Sequence, residues 1–155
     1  NGAEPLGAKV KPGFRGEAVT EKTLETFLKI HNDAFLHSPN GSTMSYEEGL
    51  EELESRKAEP WKLLLFLDGE RPVAMAILKT REEAGTIEGL AVSPEEEGKG
   101  YGREALEWIF REMGAHGLNL CKLQVMDSNP RAVALYIKKG FRQTGTHSYW
   151  YEKKL

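Results

Sequence analysis

The chain has 155 residues, 39% hydrophobic and 29% charged, with a net charge of −3 and a pI near 5.9. That profile fits one globular domain able to bury a core without staples. It argues against an electrostatic nucleic-acid surface, and no apolar run nears the ~20 residues needed to span a bilayer.

Residues 1–13, rich in Gly, Pro and Ala, read as a loose lead-in to a single domain over 14–155. The chain opens Asn1-Gly2-Ala3 without a methionine, so a processed start and a cut from a longer protein both stay open; no signal peptide is expected. A short strand is expected around 17–19. After Thr20, apolar Leu24, Phe27, Leu28, Ile30, Ala34 and Phe35 recur at helical spacing and stop before Ser38-Pro39-Asn40-Gly41. Ser45-Tyr46-Glu47-Glu48 is an S-x-x-E capping box that opens a mostly charged helix to about Arg56.

Residues 61–67 and 72–80, joined at Asp68-Gly69, carry a hairpin signature, with Pro72 at a strand start where a missing N–H is tolerated. A further strand over 86–92 leads into a glycine loop, and a helix follows from Gly102 to about His116 with Leu106, Ile109, Phe110 and Met113 on one face. Next come a strand over 120–126 and a short helix framed by Asn129-Pro130 at its start and Gly140 at its end. Strands over 141–144 and 147–153 close the chain. The order βααβββαβαββ implies an α/β fold, a mixed sheet flanked by helices.

Cys121 is the one cysteine, which excludes an internal disulfide. Set in the apolar run 120–126, it reads as a packed thiol in a reducing, cytoplasmic setting. His31, His37, His116 and His147 are scattered without ligand spacing, so no metal is expected.

The chemical signal lies in Gly98-Lys99-Gly100-Tyr101-Gly102, between a strand end and a helix start. A helix start offers unpaired N–H groups and a partial positive charge to an anion, and glycine lets the backbone approach it. The loop lacks Walker spacing, and no acidic strand end follows where a dinucleotide fingerprint needs one. Alone, it reads equally as a flexible turn.

Two motifs in order raise its meaning. Leu90-Ala91-Val92 with Pro94 and the glycine loop, followed by Asn129-Pro130-Arg131-Ala132, Tyr136 and Gly140-Phe141, resembles the GNAT superfamily of acyl-CoA-dependent N-acyltransferases. The resemblance covers about residues 14–155 and is strongest over 60–143. It implies a mostly antiparallel central sheet and an acetyl group passed from acetyl-CoA to a primary amine by direct attack in a ternary complex. The acceptor is then a small-molecule or peptide amine. The alternatives are a non-catalytic acyl-CoA sensor and a transferase with a longer acyl donor. The amino half also resembles one half of the tandem mycothiol synthase type, which leaves open a fragment of a tandem protein.

By the same resemblance, backbone amides of Glu97, Gly98, Lys99, Gly100, Tyr101, Gly102 and Arg103 hold the CoA pyrophosphate. Leu90, Ala91 and Val92 pair with the pantetheine arm as an added strand would, and a Leu90 amide polarises the thioester carbonyl. Asn129 touches pantetheine, or simply caps its helix. Tyr136 protonates the departing thiolate. An amine arrives protonated and needs a base; Glu88 is the candidate, on the same side of its strand as Leu90 unless a bulge intervenes. Family members often carry the basic group two residues upstream, where this chain has Thr86, so a water chain competes. Gln124 is expected to face the acceptor.

Glu97 stands where the family commonly has Gln or Arg, which asks its carboxylate to face water and Lys99 and Arg103 to offset it. Phe35, His37 and Tyr46 are weighed as acceptor-pocket lining against plain packing. A strand with exposed Tyr149-Trp150-Tyr151 would allow a homodimer by pairing across a two-fold axis.

Overall fold

Leu63-Leu64-Leu65-Phe66-Leu67 is apolar at every position, which suits a strand covered on both faces, and all five residues are buried. The computed structural model describes residues 11–36, 43–57, 63–81, 83–124, 130–144 and 150–155. In it this run belongs to β2 (Leu63–Asp68), which follows β1 (Phe14–Ala18), α1 (Leu24–Phe35) and α2 (Tyr46–Ser55). Then come β3 (Arg71–Arg81), β4 (Ala84–Val92), a 3-10 turn (Pro94–Glu96), α3 (Tyr101–Ala115), β5 (Leu120–Gln124), α4 (Pro130–Lys138), β6 (Arg142–Gln143) and β7 (Trp150–Lys154). The element order is the expected one, with strand ends displaced by a few residues.

Among the described residues the sheet runs β1-β2-β3-β4-β5-β7-β6. Only the β4–β5 pair is parallel; the others are antiparallel. Period-two alternation divides the strand residues between two cores. Phe66, Val73, Leu78, Ile87, Cys121 and Leu123 face α3, with Val133, Leu135 and Tyr136 of α4 packed against them. Leu63, Leu65, Met75 and Ala91 face α1 and its Leu24, Phe27 and Leu28. The capping box forms as read: Ser45 Oγ accepts from the Glu48 amide at 3.1 Å, and Glu48 Oε1 accepts from the Ser45 amide at 3.0 Å.

The expected two-fold pairing through the last strand does not fit this topology. β7 is an inner strand, with β5 on one side and β6 on the other, and Tyr151 is buried. Its hydrogen-bonding edges are used inside the sheet. The outer strands are β1 and β6.

Candidate active site

The parallel pairing of β4 with β5 covers only Ala84↔Leu120 to Ile87↔Leu123. Beyond Ile87, β4 runs on to Val92, and among the described residues no strand pairs with that edge of it. On its other edge β4 stays paired with β3 through Ala74↔Val92. The Ser93 amide donates to the Val73 carbonyl at 2.8 Å, which fixes the parity: Ser93 and Ala91 point their backbone groups at β3. Leu90 and Val92 therefore turn their N–H and C=O groups to the opposite edge, about 7 Å apart. Of the three residues expected to pair with a pantetheine arm, Leu90 and Val92 point their backbone groups away from β3 and Ala91 toward it.

A bulge precedes this stretch. Ile77 pairs with Gly89 and Leu78 with Ile87, leaving Glu88 as the extra residue. The bulge inverts the strand's facing: Ile87 lies in the α3-side core, and so does Leu90, not Gly89. Glu88 and Leu90 thus fall on opposite faces, the exception under which their expected same-side placement fails. The Glu88 carboxylate is engaged at 2.9 Å by Arg56 Nη2 from the end of α2. Arg56 also donates to Glu52 Oε2 at 2.8 Å and to the Leu78 carbonyl at 3.1 Å. Burial alone would lower the Arg56 pKa, but its hydrogen bonds to Glu52 and Glu88 outweigh that and raise it.

At the far end of β4 the chain enters the glycine loop. Gly98 and Gly100 have φ of +81° and +86°, a left-handed conformation that side chains strain against. A Cβ at either would meet no atom within 4 Å, so the space above the loop is open. Gly100 is the N-cap of α3 and provides no side-chain cap. The first intrahelical bond is from the Glu104 amide to the Gly100 carbonyl. Among the described residues, the amides of Tyr101, Gly102 and Arg103 have no protein acceptor, and those of Gly98, Lys99 and Gly100 have none either. A diphosphate fits such a row of donors at a helix start.

The loop is pinned from behind. The Tyr101 ring is buried and stacks near Phe14. Its hydroxyl donates to Asp68 Oδ2 at 2.6 Å and accepts from Arg71 Nη2 at 2.9 Å. Arg71 Nε reaches Glu96 Oε1 at 3.2 Å, and Lys99 Nζ reaches Glu96 Oε2 at 2.9 Å. Lys11 Nζ completes the cluster 2.7 Å from Asp68. Hydrogen bonds from Lys11 and then Tyr101 hold the Asp68 carboxyl below its usual range. Of the three successive glutamates, Glu96 is the buried one and Glu97 is exposed to water. Lys99, expected to offset Glu97, pairs with Glu96 instead. Among the described residues Arg103 has no acidic partner. Tyr101 can meet a ligand only through its amide, since its side chain is committed to the core.

Tyr136 lies on α4, half-buried against the α3-side core, with its ring edge-on to Phe141 at 5.8 Å. Among the described residues its hydroxyl has no hydrogen-bond partner. Burial first, and then the neighbouring Cys121, push its pKa up to about 12. Gly140, φ +96°, ends α4 as expected. The carbonyl of Tyr136 accepts from the Phe141 amide at 3.0 Å. Lys139 ties the helix to α3 through a buried ion pair with Glu107 at 2.7 Å. Cys121 is fully buried, as expected of a packed thiol, and desolvation lifts its pKa to about 12.

On the face opposite α3, a cleft of about 620 Å³ lies across β3, β4, β5 and β7, with Lys79, Thr86, Glu88, Lys122, Trp150 and Glu152 in its lining. Phe35 and Tyr46 take no part in it. Phe35 packs on His31 with ring centroids 4.9 Å apart, and Tyr46 is exposed at the start of α2. Gln124 pairs with Trp150 at the end of β5. Asn129 and His37 lie outside the described residues. Sequence reading missed Arg56, Lys79, Lys122 and the Asp68–Arg71–Glu96 cluster. Strand parity alone could have put Lys79 and Lys122 on one face once the register was known; nothing local marks Arg56.

The site thus sets an uncapped helix start at the end of β4, the strand whose parallel partner is β5 in an otherwise antiparallel sheet. A model of the Acetyltransferase (GNAT) family matches residues 24–141, and the chain belongs to that family. It is 28% identical over 148 residues to the mycothiol acetyltransferase of Propionibacterium freudenreichii, a match covering 92% of this chain and 47% of that protein. It therefore spans about half the length of that relative. To the [ribosomal protein bS18]-alanine N-acetyltransferase of Haemophilus ducreyi it is 25% identical over 135 residues, covering 87% of each. In fold it is similar to the PaiA N-acetyltransferase of Thermoplasma acidophilum, solved in complex with coenzyme A, with a TM-score of 0.75 at 20% identity, covering 92% of this chain and 99% of that one. Among the described residues no helix is long and apolar enough to cross a membrane.

Proposed function

We propose that residues 14–155 form one catalytic unit that transfers an acetyl group from acetyl-CoA to a primary amine by direct attack in a ternary complex. The observation that carries this reading is that, among the described residues, the β4 edge at Leu90 and Val92 has no strand partner and the amides at the start of α3 have no acceptor. One suits the two amides of a pantetheine arm, the other a diphosphate. Amides of residues 98–103 and the Arg103 side chain hold the diphosphate, the Glu97 amide being engaged by the Pro94 carbonyl at 3.5 Å, and Asn129 assists along the arm.

The Leu90 N–H faces the edge where the thioester carbonyl lies and stabilises the negative charge that develops on its oxygen. Glu88, on the opposite face, takes the proton from the incoming ammonium, directly or through a water. Tyr136, kept protonated by its burial, hydrogen-bonds the departing sulfur and passes it a proton as charge develops there. Holding both reactants at one strand edge supplies much of the acceleration by proximity. The acceptor is a small molecule or a peptide amine, with no nucleic-acid or membrane partner, and the setting is cytoplasmic, in keeping with a lone buried thiol.

The test is thiol release from acetyl-CoA with a panel of primary amines. The reading expects amine-dependent release at stoichiometry with acetylated product. Stabilisation by CoA with no release from any amine would replace it with a sensor, and release only from longer acyl-CoAs would change the donor.

A further inference from the structure

The acceptor's chemical class is written on the cleft face. Lys79 pairs with Thr86, Thr86 with Lys122 and Lys122 with Glu152, so these four stand in one row across β3, β4, β5 and β7. Their neighbours Leu78, Ile87, Cys121, Leu123 and Tyr151 point into the α3-side core, which turns the row to the other face, and all four residues line the cleft. Strand spacing puts the two lysine Cα atoms about 10 Å apart with Thr86 between them.

Charge accounting singles out the lysines. Among the described residues neither Lys79 nor Lys122 has a carboxylate within 4.0 Å, although Glu152 stands beside Lys122 in the row. Glu88 is already held by Arg56; Glu83 and Glu152 also line the cleft, but among the described residues neither comes within 4.0 Å of a lysine ammonium, and Glu83 accepts from the neutral Asn119 Nδ2 at 3.2 Å. Two ammonium groups left unneutralised on either side of a hydroxyl, at the floor of a cleft, suit a compact anion: each offers three donors, and the threonine offers a fourth contact. Glu88 follows Thr86 by two residues, about 7 Å along the strand.

We propose that the acceptor is an amine carrying an anionic group, a carboxylate or a phosphate, which Lys79, Thr86 and Lys122 hold while its amine reaches Glu88. This rests on the ternary-transfer reading for its turnover, but the anion seat is a binding property that stands apart from it. The 7 Å offset favours an anion several bonds from the amine, as in 4-aminobutanoate or 3-aminopropyl phosphate.

The experiment compares butylamine, 1,4-diaminobutane, 4-aminobutanoate and 3-aminopropyl phosphate. Rates are read as kcat/KM for thiol release, and binding by NMR shift titration of the protein. The two anionic amines are expected to exceed butylamine by about tenfold or more, the equivalent of ~1.4 kcal/mol, and the better of the two names the anion. In Lys79→Met and Lys122→Met that advantage falls through KM, whereas Lys57→Met, on an exposed helix end, keeps it. Preference for butylamine or the diamine overturns the proposal, as does an anionic advantage that survives the double lysine variant. Should no amine release thiol, the titration decides: binding of 4-aminobutanoate or 3-aminopropyl phosphate abolished by the double variant upholds the seat while the transfer reading fails. Binding absent, or indifferent to the lysines, overturns the seat itself.

Discussion

Glu88 Oε1 lies 2.9 Å from Arg56 Nη2, so the proposed base is fastened to the last turn of α2 at the one point where β4 bulges. Bulges re-aim side chains next to reactive sites, and here the bulge leaves Glu88 on the cleft face with Thr86 while it turns Leu90 to the α3 side. Glu88→Gln preserves the shape and most of the hydrogen bonding to Arg56 but cannot accept the proton. It is expected to lower kcat by about 10² or more. Unchanged kcat would pass the role to water.

Tyr136→Phe deletes a hydroxyl that has no partner among the described residues, so it should leave the melting temperature nearly unchanged. If the phenol is the acid, kcat falls by about 10² or more, with KM for acetyl-CoA held. A thioester with a more acidic leaving thiol needs less help from an acid and should recover part of the lost rate. An unaltered kcat with acetyl-CoA removes Tyr136 from the chemistry.

Periodicity and punctuation made most of the fold legible: the Ser45 capping box, the Asp68-Gly69 turn and the Gly140 helix end all formed where local chemistry put them. The strand pairings were another matter. Register comes from long-range packing, so neither the Glu88 bulge nor the inner position of β7 has a local signature: of the aromatics read as exposed, Trp150 is exposed and Tyr151 is buried, and Tyr149 lies outside the described residues. Glu96 and Glu97 look alike in sequence. Arg71, brought in by the β2–β3 hairpin, and Lys99 both pair with Glu96 and set it apart from Glu97.

Two buried acids predict alkaline lability. Cys121 rises from 9.0 to about 12 and Tyr136 from 10.0 to about 12, each chiefly through burial. Both hold their protons more tightly folded than unfolded, so their contribution is complete below about pH 9 and is lost as pH climbs to 12. Urea midpoints should be insensitive to these groups up to pH 9 and then fall. Cys121→Ala should make the fall shallower and start it nearer pH 10. The same slope in the variant would mean that the thiol is not the titrating group.

The Arg71 guanidinium joins the β2–β3 hairpin to the anion loop through Tyr101 Oη and Glu96. Removing it leaves Glu96 with Lys99 alone and relaxes the loop that holds the amides in line. Arg71→Ala should raise KM for acetyl-CoA by about tenfold, or ~1.4 kcal/mol, with kcat little changed, because the loss falls on ground-state and transition-state binding alike. Arg71→Lys should restore only part of it, since an ammonium cannot reproduce the two-sided fork. An unchanged KM in Arg71→Ala would show the loop to be self-supporting.

Glu107 and Lys139 meet at 2.7 Å with side chains only 6% and 9% exposed, a charged link between α3 and the end of the helix that carries Tyr136. A buried pair contributes little beyond its own desolvation, yet breaking it strands one charge in the core. Glu107→Leu or Lys139→Met alone should therefore destabilise the protein by about 3–5 kcal/mol, while the double variant, apolar at both positions, should regain most of that loss. The pair's second role is registration. If it sets where α4 sits, the double variant will be stable but slower, with kcat lowered and KM for acetyl-CoA preserved, because Tyr136 no longer meets the leaving sulfur squarely. Urea denaturation of the four proteins gives the coupling energy, and steady-state kinetics on the double variant separates registration from stability. Full activity in a fully stable double variant would reduce the pair to packing.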